Sequence, residues 1–103
     1  MDFEIHVDDN LFTREVNEFA NEAAELIDLY AKKNNDYGNS FDKGMDNIGM
    51  AYGIGRIYDK VGRLVNLTKH PNNQQINESI EDTLKDLGCY SMMMLRYLKQ
   101  NKN

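Results

Sequence analysis

The chain has 103 residues, which suits one domain with a modest core. A hydrophobic content of 41% and a charged content of 28% exclude a disordered chain, and a net charge of -5 excludes bulk binding to a phosphate backbone unless the few bases are concentrated. The single cysteine, Cys89, excludes an internal disulfide and a cysteine-based zinc site.

Neither a charged-then-apolar leader nor an apolar run approaching ~18 residues is present, so secretion and membrane spanning are not expected, and the expected location is the cytoplasm. A mean hydropathy of -0.69 calls for an economical core, which oligomerisation would extend. The whole chain, 1–103, reads as one all-α domain, a small bundle of three to four helices. Residues 1–11 form a candidate arm, extended or disordered, and 101–103 a frayed tail. His6 in the arm reads as surface decoration.

The first helix is expected to begin near Thr13, with Thr13 as cap and Glu15 and Glu18 in the early turns. Val16, Phe19, Ala20, Ala23, Leu26, Ile27 and Tyr30 repeat at helical spacing and form its apolar stripe. Lys32 and Lys33 fit the helix C-terminus, where cations are favoured. Glu15, Glu18, Glu22 and Glu25 run away from the core stripe. By themselves they read as a solvated face; a second acidic stripe later in the chain keeps a cation-binding reading open.

Asn34 to Ser40 is rich in Asn, Asp, Gly and Ser and reads as a loop. Tyr37 within it either packs back on the body or stacks on a planar ligand such as a nucleobase. One helix is expected from about Phe41, kinked around Gly53 to Gly55. Gly49 and Gly53 suit a close helix crossing or a break, and Gly53-Ile54-Gly55 lacks the third glycine of a dinucleotide fingerprint. Further on, Ile57, Val61, Leu64 and Leu67 or Val65 are expected to point inward, with Arg56, Lys60 and Arg63 on a second face. Three cations in a stripe are either a solvated face or a phosphate-binding set.

Thr68 to Ile76 holds the only proline, Pro71, and reads as a connection, with His70 a solvated loop residue. The last helix is expected from about Asn77 to Gln100. Ile80, Leu84, Leu87, Ser91, Met94 and Leu98 lie at core spacing, and Glu78, Asp82 and Asp86 line another stripe at i, i+4 steps. With Asn77 or Ser79 as cap, Glu78, Glu81 and Asp82 are explained by the first-turn dipole, but Asp86, two turns in, is not. Its stripe is either a solvated acidic face or a cation or substrate site. Met92, Met93, Met94, Leu95, Tyr97 and Leu98 are apolar on several faces, which points to a second subunit or an adaptable contact surface.

Three motifs in order carry a resemblance: Lys33 to Ser40 (KNNDYGNS), Arg56 to Leu64 (RIYDKVGRL) and Glu78 to Leu87 (ESIEDTLKDL). Together they resemble the phage nucleotide-modification-associated domain of the first type, over about Glu15 to Leu98. That resemblance implies a role in nucleotide metabolism or base modification, in a host cytoplasm if phage-encoded. More distantly, Glu22-Ala-Ala-Glu25-Leu26 and Asp82-Thr-Leu-Lys-Asp86-Leu87 look like the acidic helix motifs of the all-α nucleoside-triphosphate pyrophosphatases, the MazG and dimeric dUTPase group. That likeness implies a MazG-like bundle and a magnesium-dependent hydrolase releasing pyrophosphate from a nucleotide or deoxynucleotide. Carried over residue by residue, it makes Glu22, Glu25, Asp82 and Asp86 ligands of Mg2+. It brings Lys60 and Arg63 to the phosphates and Asp36 and Tyr37 to the base or sugar, with Lys33 a further substrate-binding residue. The later motif of that group has its acids three apart, whereas Asp82 and Asp86 are four apart and Thr83 stands at the expected acid position. The expected assembly is a homo-oligomer, dimer or tetramer. The alternatives are a non-catalytic nucleotide-binding module and a helical protein-interaction module of phage origin.

Overall fold

The computed structural model describes residues 7–37, 39–69 and 74–101, and the side chains of 36, 37, 74 and 75 are outside that description. Four helices, α1 (Arg14–Tyr37), α2 (Ser40–Ile48), α3 (Met50–Leu67) and α4 (Gln74–Gln100), follow a 3-10 turn at Asp9–Leu11. No strand occurs among the described residues, so the all-α expectation holds. His6, His70 and Pro71, most of the candidate arm and the last two residues of the tail lie outside the described residues.

Thr13 starts α1 as expected: its hydroxyl accepts from the Val16 backbone N–H at 3.3 Å, satisfying one of the orphan donors of the first turn. The far end differs from the sequence reading. The helix continues through the polar Asn34 to Tyr37, so the expected loop is much shorter and Lys32 and Lys33 lie more than a turn inside. Asn and Asp are poor helix formers by only a few tenths of a kcal/mol each, a preference that context overrides. The break in the glycine-rich segment falls at Gly49, not at Gly53 to Gly55. Gly49 adopts φ 95°, ψ -162°, a region essentially closed to residues with a Cβ, and this reverses the chain between α2 and α3. Gly53 serves close packing instead: a Cβ there would lie 2.8 Å from Met94 Sδ and 3.0 Å from Met45 Sδ.

α4 begins three residues earlier than expected, at Gln74. Asn77 and Ser79 are therefore not its caps, and its first turn carries no acidic residue. The dipole explanation of Glu78, Glu81 and Asp82 falls with that.

α3 and α4 run antiparallel, with Lys60 beside Asp86, Arg63 beside Thr83 and Gly53 against Met94. α2 closes one end of this hairpin. Phe41 and Met45 pack with Met94, and the Phe41 ring meets Tyr52 edge-on at 5.6 Å and Tyr90 at 6.0 Å. Arg96 bonds Asp42 at 2.8 Å, and the Tyr97 hydroxyl donates to Asp46 at 2.6 Å, tying α2 to the end of α4. α1 leans on α4, where Gly88 admits Leu26.

The burial pattern overturns part of the expected core. Among the described residues Phe41, Met45, Cys89 and Met94 are the buried hydrophobic ones, while Leu84 and Leu98 of α4, Val61 and Val65 of α3, and Phe19 and Ile27 of α1 are exposed. Periodicity identifies which residues share a face, but one chain supplies too few elements to cover every apolar face it carries.

Candidate functional site

Asp86 sits on the flank of α4 that meets both α1 and α3, and both its oxygens are used. Lys33 Nζ of α1 donates to Oδ1 at 2.6 Å, and Lys60 Nζ of α3 donates to Oδ2 at 3.2 Å. Burial pushes the Asp86 carboxyl up, but the bonds from the two ammonium groups outweigh this and hold it below the ordinary carboxylate value. The same contact raises Lys33 above its ordinary value against the opposing effect of its own partial burial. Three helices are thereby joined at one carboxylate.

Immediately before Asp86 in α4, Lys85 bonds Glu25 of α1 at 3.2 Å. Its hydrogen bond to Glu25 raises it, with further contributions from the fields of Glu25, Glu22 and Asp82. The acids of α1 and α4 thus gather around a lysine ammonium that serves as their counter-cation. A cavity of about 810 Å³ opens between the two helices, lined among others by Glu25, Asp28, Lys33, Asp82, Lys85 and Asp86. A second cavity, of about 320 Å³, has aromatic walls from Tyr30, Phe41, Tyr52 and Tyr90 and shares Lys33 and Asp86 with the first. Both volumes fall in the range of small-molecule sites. The two cavities join an aromatic slot to a charged cleft across the Lys33–Asp86 pair.

The residues expected to bind substrate or metal separate into groups. Lys33, Lys60 and Asp86 meet directly, and Glu25 and Asp82 line the same charged cleft. Glu22 sits on the rim of a separate apolar groove between α1 and α4. Arg63 is held one turn from Lys60 by Thr83, whose hydroxyl accepts from Arg63 Nε at 3.1 Å and donates to the Ser79 carbonyl at 2.6 Å. Asp36 and Tyr37 belong to the last turn of α1, and their side chains lie outside the described residues. Arg56 turns to Asp59 at 3.3 Å and lies 5.7 Å from the centre of the Tyr52 ring, away from Asp86.

For a magnesium ion held by the protein, the donor set does not fit as arranged. Both Asp86 oxygens accept from lysines, Glu25 is paired with Lys85, and among the described residues no three acidic, histidine or cysteine side chains converge.

Thr83 and the aromatic walls are the site residues that the sequence reading missed. Thr83 is buried at 2% exposure because its hydroxyl is satisfied on both sides, and its place one turn before Asp86 on α4 was the available signal. The four rings come from four helices, so nothing in their spacing announces that they meet.

Among the described residues no helix is long and apolar enough to cross a membrane. No curated protein and no solved structure matches the chain. A family model does match, over residues 33–98, which contain all three ordered motifs and the Lys33, Lys60 and Asp86 contact. The chain therefore belongs to the family described as nucleotide modification associated domain 1.

Proposed function

We propose that the chain binds a nucleotide, with the base between the rings of the smaller cavity and the phosphates in the charged cleft on Lys33 and Lys60. The observation that carries this reading is the junction of the two cavities at Lys33 and Asp86. Tyr30, Phe41, Tyr52 and Tyr90 offer π-faces, and stacking of a base on such faces is worth about 1–3 kcal/mol and tolerates any base. The Lys33 and Lys60 ammonium groups both donate to Asp86, so an arriving phosphate competes with one carboxylate for two cations already in place. The family's link to nucleotide modification agrees with this class of ligand.

Binding without turnover is favoured over pyrophosphate release by the pairing of Asp86 and Glu25 with lysines and by the lack, among the described residues, of three acids that converge to hold a metal. Magnesium enters the proposal as the ion that accompanies a polyphosphate, and a Mg2+-dependent hydrolase acting in a host or bacterial cytoplasm is the competing reading. The cleft lined by Glu25 and Asp82 is what favours that competitor.

Thermal melting of the chain against nucleoside mono-, di- and triphosphates, with and without Mg2+, tests both. A ligand at ~100 times its dissociation constant stabilises by about 2.7 kcal/mol. Lys33→Ala and Lys60→Ala are each expected to weaken binding about tenfold, which is about 1.4 kcal/mol. Unchanged affinity in both variants would remove the phosphate assignment. Measured release of pyrophosphate from a triphosphate would favour the hydrolase instead.

A further inference from the structure

The side of the α3/α4 hairpin facing away from α1 carries an apolar surface that nothing among the described residues covers. On α3, Ile54, Tyr58, Val61 and Val65 are 54%, 75%, 43% and 52% exposed; on α4, Leu84, Leu95 and Leu98 are 50%, 52% and 44% exposed. Their placement on one side follows from helix geometry. At ~100° per residue, the α3 set lies roughly 100–160° round the helix from Lys60, and the α4 set roughly 80–140° in the same sense from Tyr90. Lys60 lies over the Tyr90 ring at 6.0 Å, so both offsets are counted from where the helices meet. Because the helices are antiparallel, offsets of equal sense emerge on the same side of the hairpin. Lys85, Asp86 and Cys89, which meet α1, lie on the opposite flank of α4.

Ile54, Tyr58, Val61 and Val65 follow one another at steps of four, three and four, the spacing of a helix that packs lengthwise against others in a bundle. Within the α4 surface the polar Ser91 adds no unsatisfied group, because its hydroxyl donates to the Leu87 carbonyl at 3.0 Å. Seven large apolar side chains in one surface exceed what a soluble monomer ordinarily leaves in water.

We propose that a second copy of this chain covers this surface, the two α3/α4 hairpins packing face to face about a two-fold axis into a four-helix core. The area agrees with that occupant. The chain exposes 8318 Å², whereas a compact monomer of 11.9 kDa exposes roughly 5,900 Å². The excess of roughly 2,400 Å² is shared by every open face of the chain, and the about 1,000 Å² that each partner buries in a small obligate homodimer fits within it. An apolar surface without charge is self-complementary, as a two-fold interface requires. This inference does not rest on nucleotide binding, since the charged cleft opens on the other side of the hairpin.

Sedimentation velocity on the full chain at micromolar concentration is expected to give twice the chain mass. Tyr58→Glu combined with Val61→Glu is expected to give the chain mass, while Phe19→Glu on the α1/α4 groove and Lys33→Ala at the cleft leave the dimer intact. If the double variant does not fold, isotope-filtered NMR on an equal mixture of labelled and unlabelled unmodified chain decides. Contacts between chains at the methyls of Ile54, Val61, Val65 and Leu84 sustain the proposal. A monomer at all concentrations, or interchain contacts confined to Phe19, Ile27 and Met92, would overturn it.

Discussion

Asp86 is the point at which charge, packing and ligand binding meet, because Lys33 and Lys60 reach it from different helices. Its carboxyl is held below its ordinary value, so its contribution to stability is complete above about pH 4. That contribution is lost as pH falls through the lower folded-state value. Lys33, raised above its ordinary value, contributes fully below about pH 10 and loses that contribution as pH rises through its folded-state value. These two statements describe the same contact from its two ends and are not additive. Lys33 remains 49% exposed and Asp86 23%, so solvent screening keeps the pair well short of a buried one. Asp86→Asn, which removes the charge and leaves two ammonium groups facing each other, is expected to cost about 1–2 kcal/mol at neutral pH. In melting curves taken across pH, the gap between the variant and the unmodified chain should close on acidification below the carboxylate range. A gap that stays constant to pH 2 would mean that Asp86 stabilises through packing rather than charge. At this scale the sequence is informative where residues repeat along one helix: Asp86 stands out by its depth in α4 and Lys60 by its stripe. It marks Thr83 only by its place one turn before Asp86 and is silent on the four rings, whose roles depend on which helices meet.

Gly49, Gly53 and Gly62 lie within fourteen residues and answer differently to the same substitution. At Gly49, φ 95° admits glycine alone without strain, so Gly49→Ala is expected to cost about 1–3 kcal/mol and to disturb the junction of α2 and α3. At Gly53 an added methyl meets the flexible ends of Met94 and Met45, which can move but only by loosening the small core; about 1–3 kcal/mol is expected from overpacking. At Gly62 no neighbouring atom lies within 4 Å of the added Cβ, and Gly62→Ala is expected to stabilise by about 0.5–1 kcal/mol through helix propensity alone. Urea titrations of the three variants would rank them. A destabilised Gly62→Ala would show that its surface is in contact with something. Apolar periodicity was enough to place α1 and α4 and to read α2 and α3 as one kinked helix, because 3.6-residue stripes in α1, α3 and α4 leave no other regular structure open. It could not choose between Gly49 and Gly53 as the break, since both are steric permissions and only the tertiary contacts distinguish a reversal from a crossing. The end of α1 was misplaced for a related reason: weak local preferences at Asn34 to Asp36 compete with continuation of an already formed helix, which adds a hydrogen bond per residue.

At the scale of the molecule, the apolar stripes of the sequence describe more core than one chain encloses. A radius of gyration of 15.9 Å exceeds the roughly 12.8 Å of a compact domain of this length, in keeping with helices that leave their outer faces open. If the α3/α4 surface is where two chains meet, folding and association are one equilibrium and the melting temperature depends on protein concentration. At about 0.7 kcal/mol per residue, unfolding a dimer of this chain absorbs roughly 140 kcal/mol near 60 °C. The melting temperature should then rise by about 3–4 °C for each tenfold increase in concentration, and scanning calorimetry over two decades would register roughly twice that. Tyr58→Glu with Val61→Glu should flatten this dependence, while Asp86→Asn should lower the whole curve without changing its slope, because the charged contact lies within each chain. A melting temperature independent of concentration in the unmodified chain would mean that the small core around Phe41, Met45 and Met94 with its partly buried neighbours suffices for folding. The open faces of α3 and α4 would then need some other occupant.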